Sequence, residues 1–176
     1  MTSINDFKAN LIGGGARANQ FRVTITPPSG IAIGLDVRRT SFLCRASNLP
    51  AQTLTEIAIP FRGRQIYIAG DRSFDDAWTA TFMNDTDFMI RNALERWSNG
   101  INNHSDNEGL NNPVDYQVDA FVDHLDRNGN TIKSYTFRGL FPTIIGQVDL
   151  NMDQVTTLET FECTWRYQYW ESNTTT

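Results

Sequence analysis

The sequence has little of what most small functional sites are built from. It holds two cysteines and two histidines in 176 residues. Two cysteines are too few for a disulfide scaffold or a zinc cluster, and a chain of this length buries roughly 70% of its unfolded surface without such staples. Cys44 and Cys163 both fall inside apolar strand patterns, so buried free thiols are expected, in a reducing compartment such as a host cytoplasm. Basic excess is missing too. The net charge is −5, against phosphate neutralisation by a basic stripe and against electrostatic attachment to an anionic membrane. No run reaches ~18 apolar residues, so no membrane-spanning helix is expected, and the N-terminus lacks the charged start and apolar run of a signal peptide.

The motifs of catalysis are also wanting. There is no G-x-S-x-G, no H-E-x-x-H and no G-x-x-x-x-G-K-[ST]. His104 sits in a polar loop, and His124 stands beside Asp123 and Asp126 without ligand spacing. Asp75-Asp76 are neighbours in an extended segment and point to opposite faces. Asp126-Arg127-Asn128-Gly129-Asn130 is read as a hairpin turn, because the glycine comes too early for a calcium loop and no bidentate glutamate follows. The expectation is a non-enzymatic module with no metal and no cofactor.

What is present is alternation. Phe21, Val23 and Ile25 alternate with Arg22, Thr24 and Thr26, the period of a half-buried strand. Phe42, Cys44 and Ala46 suggest a second strand, Ile57 and Ile59 a third stopped by Pro60, and Ile66 and Ile68 a fourth stopped by Gly70-Asp71. Trp78, Ala80 and Phe82 suggest a fifth. Further strands are expected over Val114–Leu125, Ile132–Leu140 and Val148–Met152. The last carries Phe161, Cys163, Trp165, Tyr167 and Tyr169 on one face. One helix is expected, with Asp85 as N-cap, Ile90, Ala93, Leu94 and Trp97 as its buried stripe, and Gly100 as its stop. The fold class is therefore mainly β, with two packed antiparallel sheets forming a barrel-like sandwich and one flanking α-helix. A single domain over 1–176 is expected, with a flexible arm over 1–19, helix-like around Ile4, Phe7 and Leu11, and a loose tail over 171–176.

On Val114–Leu125, alternation sets Val114, Tyr116, Val118, Ala120 and Val122 on a core face and Asp115, Gln117, Asp119 and Asp123 on the other. This is the densest acidic row on any expected strand. Phe7 and Leu11 in the arm, and Leu54 and Phe61 further on, have no clear intrachain face and are candidates for contacts between subunits.

One stretch carries a resemblance. Ile59 to Trp78 reads IPFRGRQIYIAGDRSFDDAW, followed by Met83-Asn84-Asp85. It resembles the tail tube proteins of contractile-tailed phages, the T-even type in particular. Asn19 to Val23, Gly139-Leu140-Phe141-Pro142-Thr143 and Tyr169-Trp170-Glu171 are similar to further motifs of that family, in order. Ala77 is an insertion relative to the pattern, Tyr169 follows Gln168 where the family often has Asp, and the loop Asn102–Asn112 is longer or more polar. The resemblance implies a virion protein that assembles in the host cytoplasm as homo-hexameric rings. Those rings would stack into a tube around a tape-measure protein and inside a sheath, bounded by baseplate and terminator proteins. DNA would pass through the lumen without specific binding, so a negative or neutral lining is expected there, and the acidic row is its candidate. The alternatives are the inner tube of a phage-derived injection system and, from another class, a monomeric ligand-binding β-barrel with an apolar cavity.

Overall fold

The computed structural model describes residues 3–175. Along the chain lie α1 (Ile4–Asn10), β1 (Phe21–Ile25), α2 (Val37–Leu43), β2 (Cys44–Ser47), β3 (Thr53–Phe61), β4 (Arg64–Ser73), β5 (Trp78–Met83), α3 (Met89–Ile101), α4 (Pro113–Tyr116), β6 (Val118–Leu125), β7 (Thr131–Ile145), β8 (Thr160–Arg166) and β9 (Tyr169–Ser172). Seven strands pair in the order β1-β6-β7-β8-β5-β2, with β9 also on β7, and β3 and β4 form a separate hairpin.

The long strand β7 belongs to two layers. Its first half pairs with β6 and β9, and Phe141–Ile145 pairs with β8. The first layer (β1, β6, β7, β9) turns Val23, Ile25, Ala120, Val122 and Phe137 inward, and the second (β7, β8, β5, β2) turns Trp78, Ala80, Phe82, Phe161, Cys163 and Trp165 inward; all are buried. Trp78 meets Phe137 across the layers with ring centroids 5.0 Å apart. This is the expected sandwich, but the array stays open among the described residues: β1, β2 and β9 each pair on one side alone, with α2 packed against β1 and β2. Among the described residues, α2 and α4 are present besides the expected α3, and α1 forms where the arm is expected to be helix-like. Aromatic side chains fill the interior where a ligand-binding barrel would keep a cavity.

The switch between layers depends on Gly139. Phe137 and Leu140, three residues apart, are both buried, so the period-two phase slips between them, at a register shift opposite Val118 and Ala120. Gly139 has φ of 63°, and a Cβ there would lie 2.8 Å from Gln168 Cγ. Such a bulge bends a strand and re-aims its side chains. Gly139→Ala is expected to destabilise by about 1–2 kcal/mol from the left-handed backbone alone, and by more as Gln168 is displaced. Urea unfolding measures this; an unchanged midpoint would mean the bend does not need glycine.

Several elements differ from expectation for identifiable reasons. Phe42 is in α2 and not in a strand: Asp36 Oδ1 accepts from Arg39 N at 3.1 Å and starts the helix, which leaves Phe42 73% exposed. Asp85 does not cap α3. Arg39 holds it at 2.6 Å, and the helix starts at Met89, whose N–H donates to Asp87 Oδ1 at 3.1 Å. The stripe Ile90, Ala93, Leu94 and Trp97 is buried as expected. Gly100 lies inside α3, where a Cβ would come 2.7 Å from Ile31 Cδ1, and the C-cap is Asn102.

Pro60 and Gly70-Asp71 do not stop strands. β3 and β4 run through them, because a hairpin outside the main sheet tolerates a missing donor. Residues 147–152 form no strand: the β7–β8 pairing ends at Ile145 opposite Cys163, and Gly146 N–H donates the last bond on that side, to Glu162 O at 2.7 Å. Val114–Tyr116 is a helical turn, with Pro113 at its first position, so β6 begins at Val118, Val114 is exposed and Tyr116 half-buried. Tyr169 leaves the face of Trp165, because the chain turns at Gln168, whose N–H donates to Arg138 O at 2.9 Å; Trp170 is buried in its place. Of the expected tail, Glu171 and Ser172 are in β9, and Lys133 Nζ donates to Thr174 Oγ1 at 2.6 Å. Met1, Thr2 and Thr176, parts of the expected arm and tail, lie outside the described residues.

Both cysteines are free and buried. Burial pushes the Cys44 thiol up to about 12 and raises Cys163 as well, so neither is a nucleophile near neutral pH.

Candidate assembly surfaces

A two-residue hairpin turn of type I′ needs positive φ at both central positions. Arg62 and Gly63 supply it, at 46° and 81°. The turn joins β3 to β4, with Ile59 opposite Ile66 and Ile57 opposite Ile68. Strands of nine and ten residues extend about 30 Å. Ordinarily one face of such a hairpin would be buried. Here Leu54, Ile57, Ile59, Phe61, Ile66, Tyr67 and Ile68 are all exposed, on both faces. An isolated hairpin is marginal in water, and this one presents a large apolar area to solvent. Its base is held firmly: Trp78 Nε1 donates to Asn48 O at 3.0 Å and Trp170 Nε1 to Ala51 O at 3.2 Å.

Two more appendages share this character. In α1, Ser3 and Asp6 form a reciprocal capping box, and hydrogen bonds from Ser3 hold the Asp6 carboxyl below its usual range. The helix buries nothing, and Ile4, Phe7, Leu11 and Ile12 face solvent. The segment 147–159 exposes Leu150, Met152, Val155 and Leu158, Met152 at 96%. The candidate contact residues Phe7, Leu11, Leu54 and Phe61 are therefore all exposed, on two separate appendages. The reading as a strand missed 147–159 as a surface; five apolar residues without strict alternation, Val148, Leu150, Met152, Val155 and Leu158, were the available signal.

The acidic row is not assembled as expected. Asp119 and Asp123 share the open face of the first layer. Asp115 lies in α4 and Gln117 at its C-cap, before β6 begins. Nor are the two strand carboxylates bare. Arg138 pairs with Asp119 and with Glu171, and those hydrogen bonds, Asp119 first, raise the guanidinium's pKa. Asp123 accepts from Ser134 Oγ at 2.6 Å and stands opposite Arg22. This face is close to charge-balanced.

No group of three potential metal ligands occurs among the described residues, and among them no helix is long and apolar enough to cross a membrane. Asp75 accepts from Ser73 Oγ, and its carbonyl accepts from Arg166, so the Asp75-Asp76 pair belongs to the link between β4 and β5.

A filled sandwich thus holds three apolar appendages out into water. The chain belongs to the phage tail tube protein family, whose model it matches over residues 16–173. It is 34% identical over 169 residues to the tail tube protein of Serratia phage KSP90, covering 95% of both chains. It is also 34% identical over 157 residues to tail tube protein gp19 of Enterobacteria phage T4, covering 89% of this chain and 91% of that one. Its fold is similar to a chain of the anti-feeding prophage baseplate, with a TM-score of 0.63 at 12% identity over 89% of this chain and 94% of that one. A chain of the PVC contractile injection system's sheath/tube terminator is similar too, with a TM-score of 0.62 at 12% identity over 89% and 95%. The protein is a structural subunit of a phage tail tube, a component of the virion tail.

Proposed function

We propose that six copies close into a ring, and that rings stack into a tube that conducts DNA. The observation that carries this is the β3–β4 hairpin, whose two faces expose apolar side chains that water does not tolerate over such an area. The open edges β1 and β2 offer strand pairing to neighbours, which is how unpaired edges are commonly protected. The tube runs inside a sheath and around a tape-measure protein, from a baseplate to a terminator. Sheath–tube, baseplate and terminator assemblies hold the chains of similar fold. The 34% identity to phage proteins, against 12% to injection-system chains, favours a phage tube over an injection-system tube. The subunit works without catalysis or bound metal.

The open face of the first layer, with Asp119 and Asp123, is assigned to the lumen, and Asp115 and Gln117 to its rim. With Arg138 tied to two carboxylates, the face gives DNA phosphates little to bind, as a conduit requires. Phe7, Leu11, Leu54 and Phe61 are assigned to contacts between subunits or rings.

Electron microscopy of the concentrated protein is expected to show rings and stacked tubes. A monomer at every concentration in ultracentrifugation would overturn the tube reading. Helical reconstruction of the same tubes checks the finer assignments. Asp119 on the sheath-facing wall, or Phe7 and Leu11 still in solvent, would overturn the lumen or the arm assignment while leaving the tube intact.

A further inference from the structure

The hairpin and the segment 147–159 share exposed apolar side chains, but their charges are opposite. At the hairpin tip, Arg62 and Arg64 flank Gly63, and the Arg62 guanidinium lies over the Phe61 ring, 5.5 Å from its centroid. The segment 147–159 carries Asp149, Asp153 and Glu159 with no lysine or arginine. We propose that the β3–β4 hairpin of one copy docks, tip arginines foremost, on the segment 147–159 of a second copy. This rests on the tube reading above and names the surface that receives the hairpin.

Geometry keeps the contact from forming within one chain. In the second layer, Trp78 pairs with Trp165 at one end of β5, and Met83 with Thr160 at the other. The hairpin leads into the Trp78 end, five residues after Ser73. The segment 147–159 leads directly into Thr160, at the Met83 end. Exposure of both hairpin faces shows that the hairpin does not fold back across the sheet. Donor and acceptor thus lie at opposite ends of the subunit, and the contact between copies is head-to-tail. Such heterologous contacts propagate as closed rings or as open stacks.

Other surfaces match the hairpin less well. In α1, Asp6 is offset by Lys8, leaving no net charge for the arginines. The loop 102–112 carries Asp106 and Glu108 but no exposed large apolar residue. Of these three surfaces, 147–159 is the one that combines the acidic and the apolar halves of the match.

Two variants test this. The first carries Arg62→Glu and Arg64→Glu, and the second carries Asp149→Lys and Asp153→Lys. Each alone sets like charges against each other at every contact, which costs enough to cut the assembled fraction about tenfold or more. Mixed together, each variant's tip meets the other's segment, and tubes are expected to return. Rescue by mixing is not explained by misfolding. Tubes from either variant alone would overturn the docking and leave the tube reading standing, as would a mixture that stays unassembled while both variants melt like wild type. A wild-type chain that never assembles would overturn the tube reading and this one with it. Should a variant not fold, Arg62→Cys combined with Asp153→Cys keeps the test open, since both native thiols are buried. Oxidised tubes are expected to give a ladder of cross-linked chains, and its absence would overturn the docking.

Discussion

Trp165→Ala is expected to remove about 3–5 kcal/mol of stability, out of a total of about 5–15 kcal/mol for a domain of ordinary stability. Trp165 is fully buried at the junction of both layers and the helix. Its ring lies 6.1 Å from Trp78 and 5.5 Å from Trp97, and Trp78 in turn meets Phe137. Truncation would leave a cavity that the two neighbouring indoles cannot collapse into. Trp165→Phe is expected to cost much less. It keeps most of the packing, and the indole N–H it removes has no hydrogen-bond acceptor, so no buried bond is broken. Urea unfolding followed by circular dichroism distinguishes the two. An alanine variant within about 1 kcal/mol of wild type would show that this aromatic cluster is not the centre of the core.

Replacing residues 54–72 by a short glycine–serine linker should abolish tube formation and leave the folded body intact. Thr53 and Ser73 are paired across the hairpin, so their Cα atoms are about 5 Å apart and a short linker closes the gap. The excised residues contribute nothing to the buried core, and changes outside such features shift stability by about 0.5 kcal/mol or less. Melting temperature and electron microscopy read the two effects separately. Loss of folding would make the hairpin part of the body. Normal tubes would show that its apolar faces are not an interface.

These two experiments probe the two kinds of apolar residue in this chain, and the sequence tells them apart only in part. Where one face of a strand packs on a core, period-two alternation is legible, as in Phe21–Ile25, Trp78–Phe82 and Val118–Val122, all of which lie in strands. The helix stripe from Ile90 to Trp97 was equally clear, because its 3.6-residue period has no strand reading. Gly129, with φ of 83°, marked its hairpin turn for a local steric reason. In the hairpin β3–β4 the alternation is just as regular, but both faces are exposed, and nothing local distinguishes that pattern from burial within the chain.

Local chemistry alone determined the strand-rich class, the α3 stripe, the β6–β7 turn and the buried thiols, since each depends on residues a few positions apart. The motif run from Ile59 to Trp78 was enough to point to the family. Long-range competition for partners decided the rest. Whether 147–152 becomes a strand depends on how far β7 stays in register with β8, and that pairing ends at Ile145 opposite Cys163. Whether Asp85 caps a helix depends on Arg39, 46 residues earlier in the chain and 2.6 Å away. Whether Asp119 is a bare acid depends on Arg138 from β7 and Glu171 from β9. An acidic row on one strand says nothing of the arginine on the next, because charge pairing across a sheet is set by register, and register is a property of the folded array.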